Sequence, residues 1–197
     1  LSIIISTGAY WNALGVPGED KLRGRGVSYC ATCDGPLFKN KDIVVVGGGD
    51  TALGDAIFLT KFANKVTVVH RRDRLRATQI LQERAAANNK IEFCMGSVAT
   101  EILGDKKVEG IKVKSAVSSG EKIIRADGVF VLIGLSPNSD ICKGIVKLCP
   151  KGYVESDDEM RTSVDGIFAC GDVRRKSLSQ IVTAAGEGAT AAVSAEH

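Results

Sequence analysis

The chain has 197 residues, enough for one large domain or two small ones with a real core. Its 44% apolar and 25% charged content is that of a globular protein, and a net charge of +3 is too small to argue for nucleic acid or a membrane surface as partner. The apolar runs Ile3-Ile4-Ile5 and Ile43-Val44-Val45-Val46 are strand-sized, far short of a membrane span. The opening Leu1-Ser2-Ile3-Ile4-Ile5 has no basic region and no initiator Met, so it reads as the middle of a longer chain and not as a signal peptide.

In chain order, residues 3–6 are expected as a short buried strand ending at Thr7-Gly8-Ala9. Pro17-Gly18-Glu19-Asp20 and Gly24-Arg25-Gly26 mark loops rather than packed elements, with a boundary near residues 10–16. Residues 43–46, four branched apolars followed by glycines, predict a buried parallel strand. From Thr51 to about Ala63 the positions Leu53, Ile57 and Leu59 to Phe62 recur at helical spacing, and Lys65-Val66-Thr67-Val68-Val69-His70 is the next strand. Strand, glycine turn, helix, strand is the βαβ unit of a nucleotide-binding fold. A second helix is predicted over Thr78–Asn88 and a third parallel strand over Ile91–Met95. Val98–Leu103, Val108–Val113 and Lys122–Arg125 alternate and are split by polar turns at Gly104-Asp105-Lys106-Lys107 and Ser118-Ser119-Gly120-Glu121. They predict an antiparallel meander laid across the parallel sheet, which Gly128–Gly134 then closes. After Pro137 come an acidic loop at Glu155–Glu159, a short strand at Gly166–Ala169, and an Ala- and Gly-rich helix from about Ser179. The fold class is therefore α/β, a Rossmann-like three-layer domain of parallel sheet plus antiparallel meander, joined to part of a second domain.

In Gly47-Gly48-Gly49-Asp50-Thr51-Ala52 the glycines permit a tight turn and a close approach to a pyrophosphate, and Ala52 permits close helix–strand packing. The pyrophosphate would lie at the helix amino end, where free N–H groups and the dipole favour an anion. A merely structural glycine turn is the alternative. Where NAD sites usually place an acid, this chain has His70-Arg71-Arg72, followed by Arg74 and Arg76. Guanidinium groups bind a 2′-phosphate through charge-assisted bonds, so NADPH is expected over NADH. A solvated arginine cluster is the plain alternative. Ile133 and Gly134, ending the last strand, are expected to border the same cofactor.

Six cysteines occur: Cys30, Cys33, Cys94, Cys142, Cys149 and Cys170. In a chain this long they do not make a secreted disulfide scaffold, which favours the cytoplasm. Cys94 and Cys170 lie in strand-like runs and are expected as buried free thiols. Cys30-Ala31-Thr32-Cys33 can be a redox pair or half a zinc site. Zinc would need two further ligands, and no second Cys-x-x-Cys exists, so redox exchange is the preferred chemistry and no metal is expected.

Cys30-Ala31-Thr32-Cys33-Asp34-Gly35-Pro36, the glycine turn and His70-Arg71-Arg72-Asp73-Arg74-Leu75-Arg76-Ala77 together resemble the low-molecular-weight thioredoxin reductases. The resemblance implies electron flow from NADPH through FAD and a Cys30–Cys33 disulfide to thioredoxin. Cys33 would face the flavin, Cys30 would attack the disulfide of thioredoxin, and Asp34 would be the acid that protonates the departing thiolate. Arg71, Arg72 and Arg76 match the 2′-phosphate arginines of the family, and Arg74 has no counterpart. Cys170-Gly171-Asp172-Val173 and Gln180-Ile181-Val182-Thr183-Ala184-Ala185-Gly186-Glu187-Gly188 resemble the second FAD fingerprint, with Asp172 on the ribityl chain and Gln180 and Ile181 by the ring. Gly171, Thr7 and Gly8 would also border FAD. Cys170 stands where a small Ala or Gly is usual, and Ser179 where an Arg is usual.

The amino-terminal Gly-x-Gly-x-x-Gly unit of such reductases is not in this sequence, which corresponds to the last two thirds of the family pattern. The implied domains are residues 1–14 as a remnant of the FAD domain, 15–136 as the NADPH and disulfide domain, and 137–197 as the end of the FAD domain, with hinges near 10–16 and 134–138. The parent is expected to be a cytoplasmic homodimer. An FAD domain lacking its first half should bury its apolar faces poorly. Alternatives are an NADPH-binding module without turnover, or a related reductase acting on a peroxiredoxin or glutaredoxin-like protein.

Overall fold

The structure, a computed structural model, describes residues 1–115 and 120–196. In chain order the elements are β1 (Ile3–Ile5), β2 (Ala9–Trp11), β3 (Val27–Ser28), α1 (Ala31–Asp34), β4 (Asp42–Val46), α2 (Asp50–Leu59), β5 (Lys65–Val69) and α3 (Gln79–Ala86). Then follow β6 (Ile91–Cys94), β7 (Ser97–Leu103), β8 (Gly110–Ser115), β9 (Glu121–Arg125), β10 (Gly128–Val131), β11 (Leu135–Pro137), β12 (Ile167–Ala169) and α4 (Ile181–Glu196). The chain divides into two compact units, residues 12–134, and residues 1–11 with 135–197.

The unit of residues 12–134 is built on a parallel sheet in the order β3-β10-β4-β5-β6. Successive side chains of a strand point to opposite faces, so the unbroken apolar run of β4 supplies two cores. Ile43 and Val45 join Ala52, Leu53, Ala56 and Leu59 of α2 and Ala85 of α3 on one face. Val44 and Val46 join Ala99, Ile102, Ile111 and Val113 of the antiparallel sheet β7-β8-β9 on the other. Helices, parallel sheet and meander are thus three layers, as expected for the α/β class. Ser118 and Ser119 of the second meander turn lie outside the described residues.

In this unit four details differ from expectation. The segment 128–134 does not close the sheet: β10 lies between β4 and the two-residue β3, which is the edge. Two residues carry no period that could announce a strand. The loop-like stretch before it is packed, because Leu22 fills the second core and the buried Glu19 carboxylate accepts the Leu14 and Gly15 N–H groups. Cys94 is half-buried, since β6 is the opposite edge. On α2 the buried face is Ala52, Leu53, Ala56 and Leu59, with Ile57 only half-buried.

The other unit holds two small sheets, β1 parallel to β12 and β2 antiparallel to β11, together with α4. Its cores are modest, one of Cys142, Val146, Val154, Ala169 and Val173 and one of Met160, Phe168, Cys170 and Ala191. The strand at residues 3–5 forms but is not buried: Ile3 is 56% and Ile4 40% exposed. A strand in a two-stranded sheet has one hydrogen-bonded neighbour and little to cover its faces. No helix among the described residues is long and apolar enough to cross a membrane.

Candidate functional site

Cys30 and Cys33 are joined as a disulfide, with their Cα atoms 5.3 Å apart. Cys30 is the N-cap of α1, and its Sγ accepts the Cys33 N–H at 3.2 Å. The buried Ser28 on β3 grips Cys30 from behind: its Oγ accepts the Cys30 N–H at 3.1 Å and donates to the Cys30 carbonyl at 3.3 Å. Gly35 lets α1 close on α2, since a Cβ there would reach Leu59 at 3.0 Å. Behind it the Phe38 ring meets Phe130 edge-on at 5.1 Å. Cys33 is exposed while Cys30 and Asp34 are half-buried.

The turn at residues 47–52 leaves β4 and enters α2 at its N-cap, Gly49. A Cβ on Gly47 would strike the Leu132 carbonyl oxygen at 2.4 Å and Ala52 Cβ at 2.7 Å, so close packing requires both small residues. Around Gly49 there is open space, and no side chain caps α2. The N–H groups at Asp50, Thr51 and Ala52 therefore start a helix with no side-chain acceptor at its cap, as an anion site needs. Leu132 N–H bonds Val46 O, which brings Ile133 and Gly134, beyond the end of β10, to the same sheet edge. Ligands in open α/β sheets bind at this edge.

His70 follows β5 and is 6% exposed, with Nε2 lacking a hydrogen-bond partner among the described residues. Burial lowers the His70 imidazole below its ordinary value; a hydrogen bond with the Arg74 backbone opposes this, and the charges of Arg76, Arg72 and Arg71 add to the lowering. Arg71, Arg72, Arg74 and Arg76 are all exposed, and none has a carboxylate at ion-pair distance among the described residues. Asp50 does not point freely into this space: its Oδ1 accepts the Thr78 N–H at 2.7 Å.

In the other unit, parallel pairing of β1 with β12 sets the chain beyond Ile5 beside the chain beyond Ala169. Thr7 and Gly8 are clasped by Asn138, which donates its N–H to Gly8 O at 2.9 Å and its Nδ2 to Thr7 O at 2.9 Å. Gly171 and Asp172 open a 3₁₀ turn, and Gly171 faces Ala184 of α4. Gln180 and Ile181 start α4, with the Thr183 hydroxyl accepting the Gln180 N–H. One oxygen of Asp172 is buried and lies 3.0 Å from Lys176 Nζ, a charge contact rather than an aligned hydrogen bond. No group of three or more His, Cys, Asp or Glu side chains among the described residues could hold a metal.

Residues 2–188 match the family model for pyridine nucleotide-disulphide oxidoreductases. The chain belongs to this family. It is 52% identical over 196 residues to a thioredoxin reductase of Listeria monocytogenes, covering 99% of this chain and 61% of that protein. A Bacillus subtilis thioredoxin reductase is 49% identical over 197 residues, covering 100% of this chain and 62% of that protein. The crystal structure of thioredoxin reductase from Streptococcus pyogenes MGAS5005 superposes with a TM-score of 0.94 at 48% identity, covering 100% of this chain and 64% of that one. The chain therefore spans about three fifths of the length of the curated relatives it matches. The resemblance read from the motifs is matched by relatives of that name.

Three supporting residues carry no motif that would announce them. Ser28 holds Cys30. Glu19 accepts the Tyr29 hydroxyl at 2.8 Å as well as two backbone N–H groups. Glu187 accepts Gly171 N–H at 2.7 Å, Arg174 at 2.9 Å and Lys176 at 3.3 Å, tying α4 to the 3₁₀ turn that carries Asp172. Glu187 lies in the quoted fingerprint, and an acid in the middle of an Ala- and Gly-rich helix was the one available signal.

Proposed function

We propose that this chain is the NADPH-binding and disulfide-bearing part of a thioredoxin reductase, together with the carboxyl-terminal part of its FAD domain. The observation that carries the reading is one compact unit holding both a Cys30–Cys33 disulfide at a helix start and a glycine turn edged by exposed arginines without carboxylate partners among the described residues. Gly47, Gly49 and the N–H groups of Asp50, Thr51 and Ala52 would hold the pyrophosphate of NADPH. Arg71, Arg72 and Arg76 would hold its 2′-phosphate, with His70 at the start of the same loop and Ile133 and Gly134 along the cofactor's edge. Asp172 would meet the ribityl chain of FAD, with Thr7, Gly8, Gly171, Gln180 and Ile181 around it. Gly8 has open space around it and the Ile181 side chain is 90% exposed, so both are accessible to a ligand.

When bound, NADPH supplies a hydride and FAD passes the electron pair on to the disulfide. In the reduced pair, Cys30 Sγ attacks a thioredoxin disulfide, forming one S–S bond as the other breaks. Asp34 gives the departing thiolate its proton, and Cys33 Sγ then displaces the reduced thioredoxin to restore Cys30–Cys33. The whole protein would be a cytoplasmic homodimer.

Exposure of Ile3, Ile4, Ile181 and Val182 favours a second reading for the chain taken by itself, an NADPH-binding module without turnover. An anaerobic visible spectrum of the purified 197-residue chain, before and after NADPH, decides between the two. A flavin band that bleaches with NADPH and returns with oxidised thioredoxin establishes the reductase. A colourless protein that binds NADPH establishes the module.

A further inference from the structure

We infer that the Asp50 carboxylate is a positioning group, which fastens the arginine loop to the glycine turn and thereby sets the preference for a 2′-phosphorylated nucleotide, and that this side chain is not itself a contact to the cofactor. The inference rests on the nucleotide site proposed above.

Asp50 is the first residue of α2, where a pyrophosphate would lie. A free carboxylate there would repel that anion. Its Oδ1 is instead turned to Thr78, the N-cap of α3, and takes the Thr78 N–H at 2.7 Å. The two preceding N–H groups are aimed at the same segment, Arg76 N–H to Gly48 O at 2.7 Å and Ala77 N–H to Gly48 O at 3.2 Å. Three consecutive amides of one loop are thus clasped to residues 48–50. At the other end the Arg72 carbonyl accepts Gly96 N–H at 2.9 Å.

Two of the three rungs use the Gly48 carbonyl and survive any change of side chain. The Asp50 rung alone depends on one. It lies two residues from Arg76, one of the three arginines whose charge reaches His70. Releasing it loosens the loop just beyond Arg76, whose own N–H stays on Gly48 O, while leaving the glycine turn and the N–H groups of α2 in place. Binding of the 2′-phosphate should suffer and binding of the pyrophosphate should not.

The test uses the 197-residue chain with NADP⁺ and NAD⁺ as probes, which share the pyrophosphate and differ only in the 2′-phosphate, titrated by calorimetry into wild type, Asp50→Ala and Asp50→Asn. Amide hydrogen exchange at Thr78 is followed in the same three proteins. Wild type should prefer NADP⁺. Asp50→Ala should lower that preference about fivefold, the scale of one charge-assisted hydrogen bond at an exposed position, with NAD⁺ affinity unchanged or higher. Thr78 should exchange faster in Asp50→Ala while the β4 and β5 amides keep their protection. Asp50→Asn, whose amide oxygen still accepts, should restore both preference and protection.

An unchanged preference in Asp50→Ala overturns the inference and leaves the nucleotide site standing. Equal weakening of both probes also overturns it, because Asp50 would then serve the whole turn. So does an Asp50→Asn that behaves like Asp50→Ala, because charge and not the hydrogen bond would be responsible. A wild type without preference overturns the nucleotide reading itself, and the exchange data then still report whether the clasp exists.

Discussion

The imidazole of His70 occupies the space that a side chain on Gly48 would fill: a Cβ there would lie 2.3 Å from Nδ1 and 2.5 Å from Cε1. Gly48 has no positive φ, so its backbone does not demand glycine. The demand comes from the end of β5, whose last turn outward buries His70 against the phosphate turn. Gly48→Ala should therefore cost about 1–3 kcal/mol, the range for overpacking a buried contact, seen as a lower midpoint in urea. His70→Ala should relieve it, so that the double variant is more stable than the sum of the two single losses predicts. Strict additivity would mean that the strain lies elsewhere in the turn.

Arg71 and Arg72 stand exposed without carboxylate partners among the described residues, so their removal leaves no charge stranded and should hardly change stability. Arg71→Ala combined with Arg72→Ala should weaken NADPH binding by about tenfold or more, for two lost charge-assisted contacts, and NADH binding by less than about threefold. Equal losses for the two cofactors would remove the 2′-phosphate assignment.

Much of this was legible before the fold was known, and for identifiable reasons. The run Ile43–Val46 announced a strand buried on both faces because no residue in it could face water, and the alternation after Ser97 announced a sheet buried on one. Cys30, Cys33, the glycine turn and the arginine loop were legible because their chemistry needs those residue types close together in sequence. What was missed depends on long-range neighbours. Ser28 looks like any loop serine until Val27 and Ser28 pair with β10, and Glu19 looks solvated until Tyr29 folds onto it. The tie from Asp50 to the Thr78 amide was invisible because its partner is a backbone group that no pattern of side chains displays.

Cys30→Ser tests the redox half of the site by itself. Serine keeps an acceptor at the α1 N-cap, so the fold and nucleotide affinity should be unchanged. Disulfide exchange with oxidised thioredoxin, started from the chemically reduced chain and read by thiol trapping, should be abolished. Ser28→Ala should slow the same exchange several-fold without abolishing it, because Cys30 then loses the hydroxyl that holds both of its backbone polar groups. Exchange at the wild-type rate in Cys30→Ser would move the attacking role to Cys33.

Asp55 lies half-buried on α2, and burial pushes its carboxyl up to about 6. In the unfolded chain the same group titrates near its ordinary value of about 3.9. Between those values the folded state holds the proton more tightly than the unfolded state, so folding stability falls as the pH rises through this window. Above it the ionised side chain is a standing cost, which partial access of water reduces to about 1–2 kcal/mol. Asp55→Asn, which keeps the shape and cannot ionise, should therefore stabilise the protein by about that amount at pH 7.5, with the gain shrinking to nearly nothing by pH 4. Urea unfolding of the two proteins at both pH values measures it. A gain of equal size at pH 4 would place the effect in packing against α2 and not in the charge.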